Sequence, residues 1–298
     1  MNIVMPDKPV YANAFAIPSS IELPAARRRK LTWLERRLVL ACMQAWFFLL
    51  AAATLKKPAL IISSFKNLLR RRKETWGSQI KKIYKIEGLY YSNLYTPGWP
   101  SAAYNSFVKN ELLRHAYPLT ATEKLTFMFF AVTRKCPMRC EHCFEWDNLN
   151  QRETFSKDEL KQVVDIYQKM GVQQIHFSGG EPLVRIHDLA QTIAYAKEKS
   201  ECFVVTSGFN LTQENAWLLK RSGCRGIVVS IDHYLPHLHN RFRNHPDIFN
   251  KAVAGVKASL QAGMLTTLSV CTTKEFIDGG HLMPYLDFAK DMGVHFVQ

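Results

Sequence analysis

Three cysteines within eight residues are the strongest chemical signal in this chain of 298 residues. Cys136, Cys140 and Cys143 follow an apolar stretch of strand character with the spacing C-x3-C-x2-C. One loop can carry three such thiolates to an iron–sulfur cube, and because most 4Fe–4S clusters take four cysteines, a set of three leaves one iron open to a ligand. Short cysteine spacings also occur in zinc sites that take a fourth ligand from elsewhere. The spacing alone therefore permits either kind of metal centre.

A second motif ends the next apolar stretch, where Gly179, Gly180 and Glu181 precede a proline. Two adjacent glycines let the backbone turn sharply and approach a ligand closely. The glutamate offers a carboxylate to an ammonium group. Alone, this pattern is also typical of an ordinary strand–helix turn. Its position one strand–helix unit after the cysteine loop makes it a strong indication of a ligand site.

Together these two motifs resemble the radical S-adenosylmethionine (SAM) superfamily, and the similarity covers residues 125–298. The segment Arg241–Arg243 resembles the molybdenum-cofactor-synthesis and peptide-modifying (SPASM) branches in particular. The resemblance implies that Cys136, Cys140 and Cys143 hold a 4Fe–4S cluster whose open iron binds SAM. It further implies reductive cleavage of SAM to a 5′-deoxyadenosyl radical, which abstracts hydrogen from a peptide, lipid or small metabolite.

The resemblance also implies SAM-binding residues at the ends of successive strands. His142 precedes the last cysteine, where the family usually has an aromatic residue against the adenine. Ser207 stands in a Thr-Ser-Gly where the family has Thr-Asn-Gly, and Ser230 lies in a Ser-Ile-Asp that resembles Ser-Leu-Asp. The complete predicted set is His142, Gly179, Gly180, Glu181, Ser207, Ser230, Asp232 and Val297. No further catalytic residue is assigned, and His176, His187, His233, His237 and His239 are interpreted as structural.

The elements that must position these residues alternate regularly after residue 124. Six apolar strand patterns are separated by helical patterns with short connections, which indicates a parallel sheet. Ser156 with Glu159 forms a capping box, and Thr212 heads another helix in the same way. We predict an α/β fold, a partial (β/α)6 TIM-like barrel preceded by a helical, basic N-terminal region. In such folds ligands gather at the carboxyl ends of the strands.

Charge is distributed unevenly, and this argues against a nucleic-acid-binding core. The formal net charge is +14, but residues 1–120 hold 19 Lys and Arg against 6 Asp and Glu, whereas residues 121–298 hold 20 against 19. A core that binds nucleic acid would carry its own basic face. The excess in the N-terminal part indicates a membrane surface or an acidic partner instead.

The first 123 residues are predicted to form three segments before the core. Residues 1–37 are expected to be a flexible basic tail, and residues 38–75 an apolar or amphipathic helical segment. Between Leu38 and Leu55 only Gln44 and Thr54 are polar. The length of this apolar run is at the lower limit for crossing a bilayer. Residues 38–73 therefore predict either a membrane anchor or a buried helical hairpin. Residues 76–123 are expected to be an irregular connection, and residues 124–298 a C-terminally incomplete radical SAM core.

These features imply a cytoplasmic protein, possible membrane association with the core on the cytosolic side, and an electron donor of the flavodoxin or ferredoxin type. Clustered cysteines in a reducing compartment indicate metal binding rather than disulfides. The alternative that the residues leave open is a zinc-binding, non-catalytic, membrane-associated regulatory protein.

Overall fold

Six parallel strands form the main sheet, and they lie in it in the same order as in the sequence. The computed structural model describes residues 29–76, 82–117, 125–153 and 155–298. The strands of this sheet are β4 (Phe127–Ala131), β5 (Gln174–Ser178), β6 (Glu201–Thr206), β7 (Cys224–Ser230), β8 (Leu265–Ser269) and β9 (Phe296–Val297). The helices between them are α4 (Lys157–Lys169), α5 (Ile186–Ala196), α6 (Gln213–Ser222), α7 (Pro236–Arg243), α8 (Ile248–Gln261), α9 (Lys274–Asp278) and α10 (Leu282–Asp291). The predicted partial TIM-like α/β fold is confirmed.

Local sequence explains where several of these helices begin and end. The Ser156 hydroxyl accepts the Glu159 N–H while the Glu159 carboxylate accepts the Ser156 N–H, the reciprocal capping box expected from the sequence. The Thr212 hydroxyl caps α6 by accepting the Asn215 N–H at 3.2 Å. Gly223 ends α6 in the left-handed conformation, with φ of 103°, which glycine adopts without steric cost. The short connections that result keep consecutive strands adjacent in the sheet.

Alternate residues of the central strands face two different layers. Cys202 and Val204 of β6 belong to the main core, which includes residues of helices α4, α5, α6, α8 and α10. Phe203, between them, packs with Val228 and Leu265 on the opposite face, which is the inner face of the barrel. Because side chains alternate along a strand, two separate apolar layers are expected on the two faces.

The inner layer is completed by the segment that the sequence predicted to be an irregular connection. Strands β2 (Tyr84–Ile86) and β3 (Leu89–Tyr91) form an antiparallel hairpin, and β1 (Arg29–Lys30) pairs with β2. Ile86, Tyr91 and Leu94 are buried against Phe203 and its inner-face neighbours. This tertiary contact orders a stretch whose own sequence shows no periodicity, so the described residues of this range, 82–117, are not the irregular connection that was expected. The same range contains helix α3 (Ala102–Ala116).

A buried carboxyl group, Glu201, ties the hairpin segment to the first residue of β6. Its Oε1 accepts the Gly98 N–H at 3.0 Å and the Tyr91 hydroxyl at 3.4 Å. Its Oε2 is buried without a hydrogen-bond partner among the described residues. Nearby, the Gln174 amide donates to the Leu94 carbonyl at 3.1 Å. Burial raises the pKa of Glu201 to about 7.

The N-terminal helices form a second small cluster. Helix α1 (Trp33–Leu55) begins earlier than predicted, because Thr32 and Glu35 form a capping box ahead of the apolar run. Helix α2 (Pro58–Trp76) follows after a break at Lys56 and Lys57. Phe47, Ala51 and Leu55 of α1 are buried in a cluster with Tyr104, Val108 and Leu112 of α3. Residues 1–28 of the predicted tail lie outside the described residues.

We predict that Glu201→Gln removes a pH dependence of stability. A carboxyl group whose pKa is about 7 in the native state but about 4.3 when unfolded holds its proton more tightly in the native state. The native protein is therefore most favoured below the unfolded pKa, and the free energy of unfolding decreases as pH rises through about 7, by on the order of 3 kcal/mol. Urea unfolding at about pH 5 and about pH 8 measures the difference.

The matched control is Glu198→Gln, which changes an exposed glutamate three residues earlier. This variant should keep the wild-type decrease in stability with pH, whereas Glu201→Gln should be flatter. An unchanged pH dependence in Glu201→Gln would show that another group causes it.

Candidate functional site

The three predicted cysteines lie on one loop between the carboxyl end of β4 and helix α4. All three are free thiols and partly exposed. The loop is fixed at its start by Asn150, whose side chain accepts the Cys136 N–H and donates to the Cys136 carbonyl, both at 3.0 Å. Further along, the Glu141 N–H donates to the Phe242 carbonyl at 3.1 Å, which joins the loop to α7. The thiols are thus carried by a loop anchored at both ends.

The protonation of the thiols depends on burial and on one arginine. Burial raises the pKa of Cys136 to about 12, and it also raises the pKa of Cys140. Arg243 opposes the shift at Cys140, because its Nη1 lies 3.7 Å from the Cys140 Sγ. The guanidinium therefore offsets part of the cost of a thiolate at Cys140, and binding to a cation such as iron would favour the thiolate at both cysteines.

Arg243 is a site residue to which the sequence assigned no role. It is almost fully buried, and its Nε donates to Asp232 Oδ2 at 2.6 Å. Burial disfavours its charge, but Asp232 and Cys140 together raise its pKa above the usual arginine value. The other Asp232 oxygen accepts the Cys271 N–H at 3.1 Å. Predicted residue Asp232 thus holds Arg243 against the cysteine loop.

The two predicted glycines pack against backbone rather than open space. The Gly180 N–H donates to the Thr133 carbonyl, and the Glu181 N–H to the Lys135 carbonyl, both at 2.8 Å. A Cβ added to Gly179 would lie 2.5 Å from the Thr133 carbonyl oxygen, and one on Gly180 would overlap the Lys135 carbonyl. Only glycine fits here, because the turn after β5 is pressed onto the start of the cysteine loop.

Glu181 is buried and fully engaged by the protein itself. Its Oε1 accepts the Leu183 N–H and the Thr206 hydroxyl, and its Oε2 accepts the Ser207 N–H and hydroxyl. Burial raises the pKa of Glu181, although these four hydrogen bonds act in the opposite direction. The structure thus brings the predicted residues Glu181 and Ser207 into direct contact, at 2.5 Å between Oε2 and Oγ.

The remaining predicted residues are spread around the same end of the sheet. The exposed His142 ring stacks on Phe242 with 4.6 Å between centroids. Ser230 is partly buried at the last position of β7. Val297 pairs with Leu268 in β9 and packs against the main core. His142 and Ser230 therefore have surface available to a ligand, whereas Val297 packs partly on the helix-covered side.

A cavity of about 210 Å³ lies beside the cysteine loop, where β7 and β8 end. Its lining includes Asp232, Arg241, Phe242, Cys271 and a pair of histidines, His233 and His281, whose rings are 4.5 Å apart. His233 Nδ1 accepts the Leu235 N–H, so its proton is on Nε2. Burial lowers the pKa of His233 to about 4, which keeps the ring neutral at physiological pH.

Two of the other histidines, His176 and His239, have packing or hydrogen-bonding contacts inside the protein. His176 is buried and stacks on Phe203 with 5.0 Å between centroids. His239 is buried and accepts the Asp232 N–H at 3.0 Å. It therefore supports the position of Asp232, and a sequence pattern gives no sign of this contact across seven residues.

The chain is similar to known proteins of one family. The family model described as the radical SAM superfamily matches residues 130–279, which is half of the chain. The AdoMet-dependent heme synthase of Nitratidesulfovibrio vulgaris is 32% identical over 146 residues, covering 48% of this chain and 40% of that protein. GTP 3′,8-cyclase 2 of Pseudomonas aeruginosa is 26% identical over 181 residues, covering 59% of this chain and 54% of that protein. The chain thus spans about half or less of the length of these relatives.

Solved structures share the fold. SuiB of Streptococcus suis bound to S-adenosylmethionine superposes with a TM-score of 0.50 at 16% identity, over 80% of this chain and 52% of that one. SuiB bound to its precursor peptide SuiA gives a TM-score of 0.52 at 15% identity, over 84% and 55%. Radical SAM proteins use a 4Fe–4S cluster and SAM, which confirms the cofactors expected from the sequence. The chain belongs to the radical SAM superfamily of enzymes.

Proposed function

We propose that this chain is the catalytic core of a radical SAM enzyme in which Cys136, Cys140 and Cys143 hold the 4Fe–4S cluster. The observation that supports it most is the anchored three-thiol loop at the carboxyl end of β4, packed on the glycine turn after β5. When bound, the cluster and SAM supply a one-electron cleavage that yields a 5′-deoxyadenosyl radical able to abstract hydrogen. The substrate class is a peptide, a lipid or a small metabolite.

The predicted SAM-binding residues divide into two groups by their surroundings. Glu181, Ser207 and Asp232 are buried and bonded within the protein, so their proposed role is to hold the ligand-binding backbone in place. His142 and Ser230 have accessible polar or aromatic surface, so their proposed role is direct contact with SAM. The backbone of Gly179 and Gly180, which is pressed onto the start of the cysteine loop, is proposed to approach the methionine end.

A zinc-binding, non-catalytic protein is the second candidate that the sequence left open. A single zinc ion needs ligands that converge on one point. Among the residues described here, no three His, Cys, Asp or Glu side chains are placed to hold one metal ion. The cysteines of a 4Fe–4S cube bind different irons and do not need to converge. Membership of an enzyme superfamily also favours the catalytic proposal.

Radical SAM enzymes need a reductant, and we propose that a protein of the flavodoxin or ferredoxin type supplies the electron. Phe144 and Trp146 follow the last cysteine and are 86% and 71% exposed. Lys135 and Arg139 are exposed on the same loop. Glu141 and Asp147 are exposed on this loop as well, so it is the aromatic surface close to the thiols, rather than net charge, that suits the docking of a protein reductant.

We also propose that the N-terminal helices associate the protein with a membrane on its cytosolic side. By length and composition, α1 is the one helix among the described residues that could cross a bilayer. Only 22% of its most apolar 18-residue stretch is buried. A core helix of a protein without a membrane partner would be mostly buried, so this exposure supports membrane association over a buried hairpin.

We predict that Cys140→Ala lowers 5′-deoxyadenosine formation by about a hundredfold or more, because one corner of the cluster loses its ligand. The assay is anaerobic reconstitution with iron and sulfide, followed by SAM and a strong reductant. Cys42→Ala is the control, since Cys42 is exposed on α1 outside the loop. A Cys140→Ala protein that still forms 5′-deoxyadenosine, or a wild type that takes up only zinc, would contradict the proposal.

We predict that Gly180→Ala impairs cluster incorporation, because its new methyl group would meet the Lys135 carbonyl at the start of the cysteine loop. Overpacking of this kind costs about 1–3 kcal/mol. The control is Gly263→Ala, where a Cβ would meet nothing within 4 Å, although the φ of 73° adds about 1 kcal/mol of backbone strain. Iron and sulfide content and the melting temperature separate the two variants. Full cluster content in Gly180→Ala would show that the loop tolerates displacement.

A further inference from the structure

Helix α1 has an apolar face that the rest of the described structure does not cover. The residues on it are spaced as one helical stripe, at intervals of three and four, and all eight are exposed: Leu34, Leu38, Ala41, Cys42, Ala45, Leu49, Ala52 and Ala53. Leu34, Leu38 and Leu49 are 61%, 59% and 62% exposed. At about 1.5 Å per residue the stripe is about 28 Å long. An apolar surface of this length on a folded protein indicates an interaction site.

Basic residues lie at both ends of this stripe and beside it. Residues 31–70 contain six Lys and Arg but a single acidic residue, Glu35, which is used in the capping box of α1. Arg37 is exposed near the beginning of the stripe, and Lys56 and Lys57 are exposed at its end. Lys66 is exposed on α2. The charge pattern is complementary to an anionic surface, and it disfavours pairing with a second copy of the same face.

The opposite side of α1 is fixed along α3, and this determines how α1 can meet a membrane. Phe47, Ala51 and Leu55 are buried against α3, and the Trp46 indole N–H donates to the Asn105 side chain at 2.7 Å. Helix α3 in turn carries the exposed Lys109. If α1 crossed the hydrocarbon, α3 would be drawn in with its polar side chains, which lipid cannot solvate. The attachment therefore favours α1 lying in the plane of the membrane surface.

We propose that the outward stripe of α1, with the basic residues at its ends and on α2, is a docking surface for an anionic lipid bilayer. On this surface the protein is held at the headgroup layer without crossing it. The inference rests on the proposed membrane association and specifies its geometry and lipid class. It is independent of the assignment of the cluster and SAM.

Vesicle flotation of the full-length chain tests the proposal. The wild type should float with phosphatidylcholine vesicles that contain phosphatidylglycerol, and about tenfold less with phosphatidylcholine alone. High salt should reduce the binding, because surface electrostatics are screened. The double variant Leu38→Glu/Leu49→Glu should lower flotation by about tenfold or more. The matched control, Ile166→Glu/Met283→Glu, changes two exposed apolar residues on α4 and α10 and should float like the wild type.

Two measurements fix the geometry. Cys42 is exposed on the stripe, so its modification by a bulky maleimide, read by peptide mass spectrometry, should slow by about tenfold with anionic vesicles. Alkaline carbonate should release the bound protein. Resistance to carbonate, equal binding to neutral vesicles, or a dimer that the double variant abolishes would overturn the inference while leaving the catalytic proposal intact. Absence of flotation with every vesicle would overturn the membrane association as well.

Discussion

The buried carboxylate of Glu181 is the interaction on which the arrangement of the site depends. It accepts two hydrogen bonds from Ser207, one from Thr206 and one from Leu183, and so joins the carboxyl ends of β5 and β6. The same turn donates the N–H groups of Gly180 and Glu181 to the start of the cysteine loop. A buried acidic group is costly unless it is well bonded, and a half-satisfied one would destabilise the whole turn. The position of the thiols is thus coupled to a carboxylate that is not itself one of their partners.

A second set of contacts holds the other side of the loop. Asp232 at the end of β7 orients Arg243, and Arg243 approaches Cys140, while His239 bonds the Asp232 backbone. These contacts thus link a residue just after β7 to the last residue of α7, and that residue to a thiol of the cysteine loop. Its effect is electrostatic as well as mechanical, because Arg243 lowers the cost of a charged sulfur at Cys140 without contributing an additional ligand. The loop is therefore supported from β5 and β6 on one side and from β7 on the other.

The sequence was informative wherever local chemistry decides the structure. The alternation of strand and helix patterns, with the helix caps at Ser156 and Thr212, sufficed to predict a parallel sheet of six strands with helices between them. The motif residues were found because their spacing is local. Glu181 was expected to face a ligand, but its partners come from β6, at a separation of 25 and 26 residues. The hairpin contact between Tyr91 and Glu201 spans 110 residues. Contacts between residues so far apart in the sequence produce no periodic pattern. For this reason the inner apolar layer and the role of Arg243 could not be predicted and became evident only from the structure.

The placement of the hairpin and of α3 also decides which way the site faces. The inner face of the sheet is filled by Tyr91 and Leu94. Asn110 of α3 donates to the carbonyl of Gly171, which precedes β5, so α3 meets the sheet at the amino ends of the strands. The cysteine loop lies at the carboxyl ends, about 17 Å away along a five-residue strand. With α1 docked on lipid, the cysteine loop is therefore on the end of the sheet away from the α3 attachment, where a soluble reductant can reach Phe144 and Trp146. The proposed docking on a membrane and the proposed reduction of the cluster would then use separate surfaces of the chain, so neither would need to displace the other.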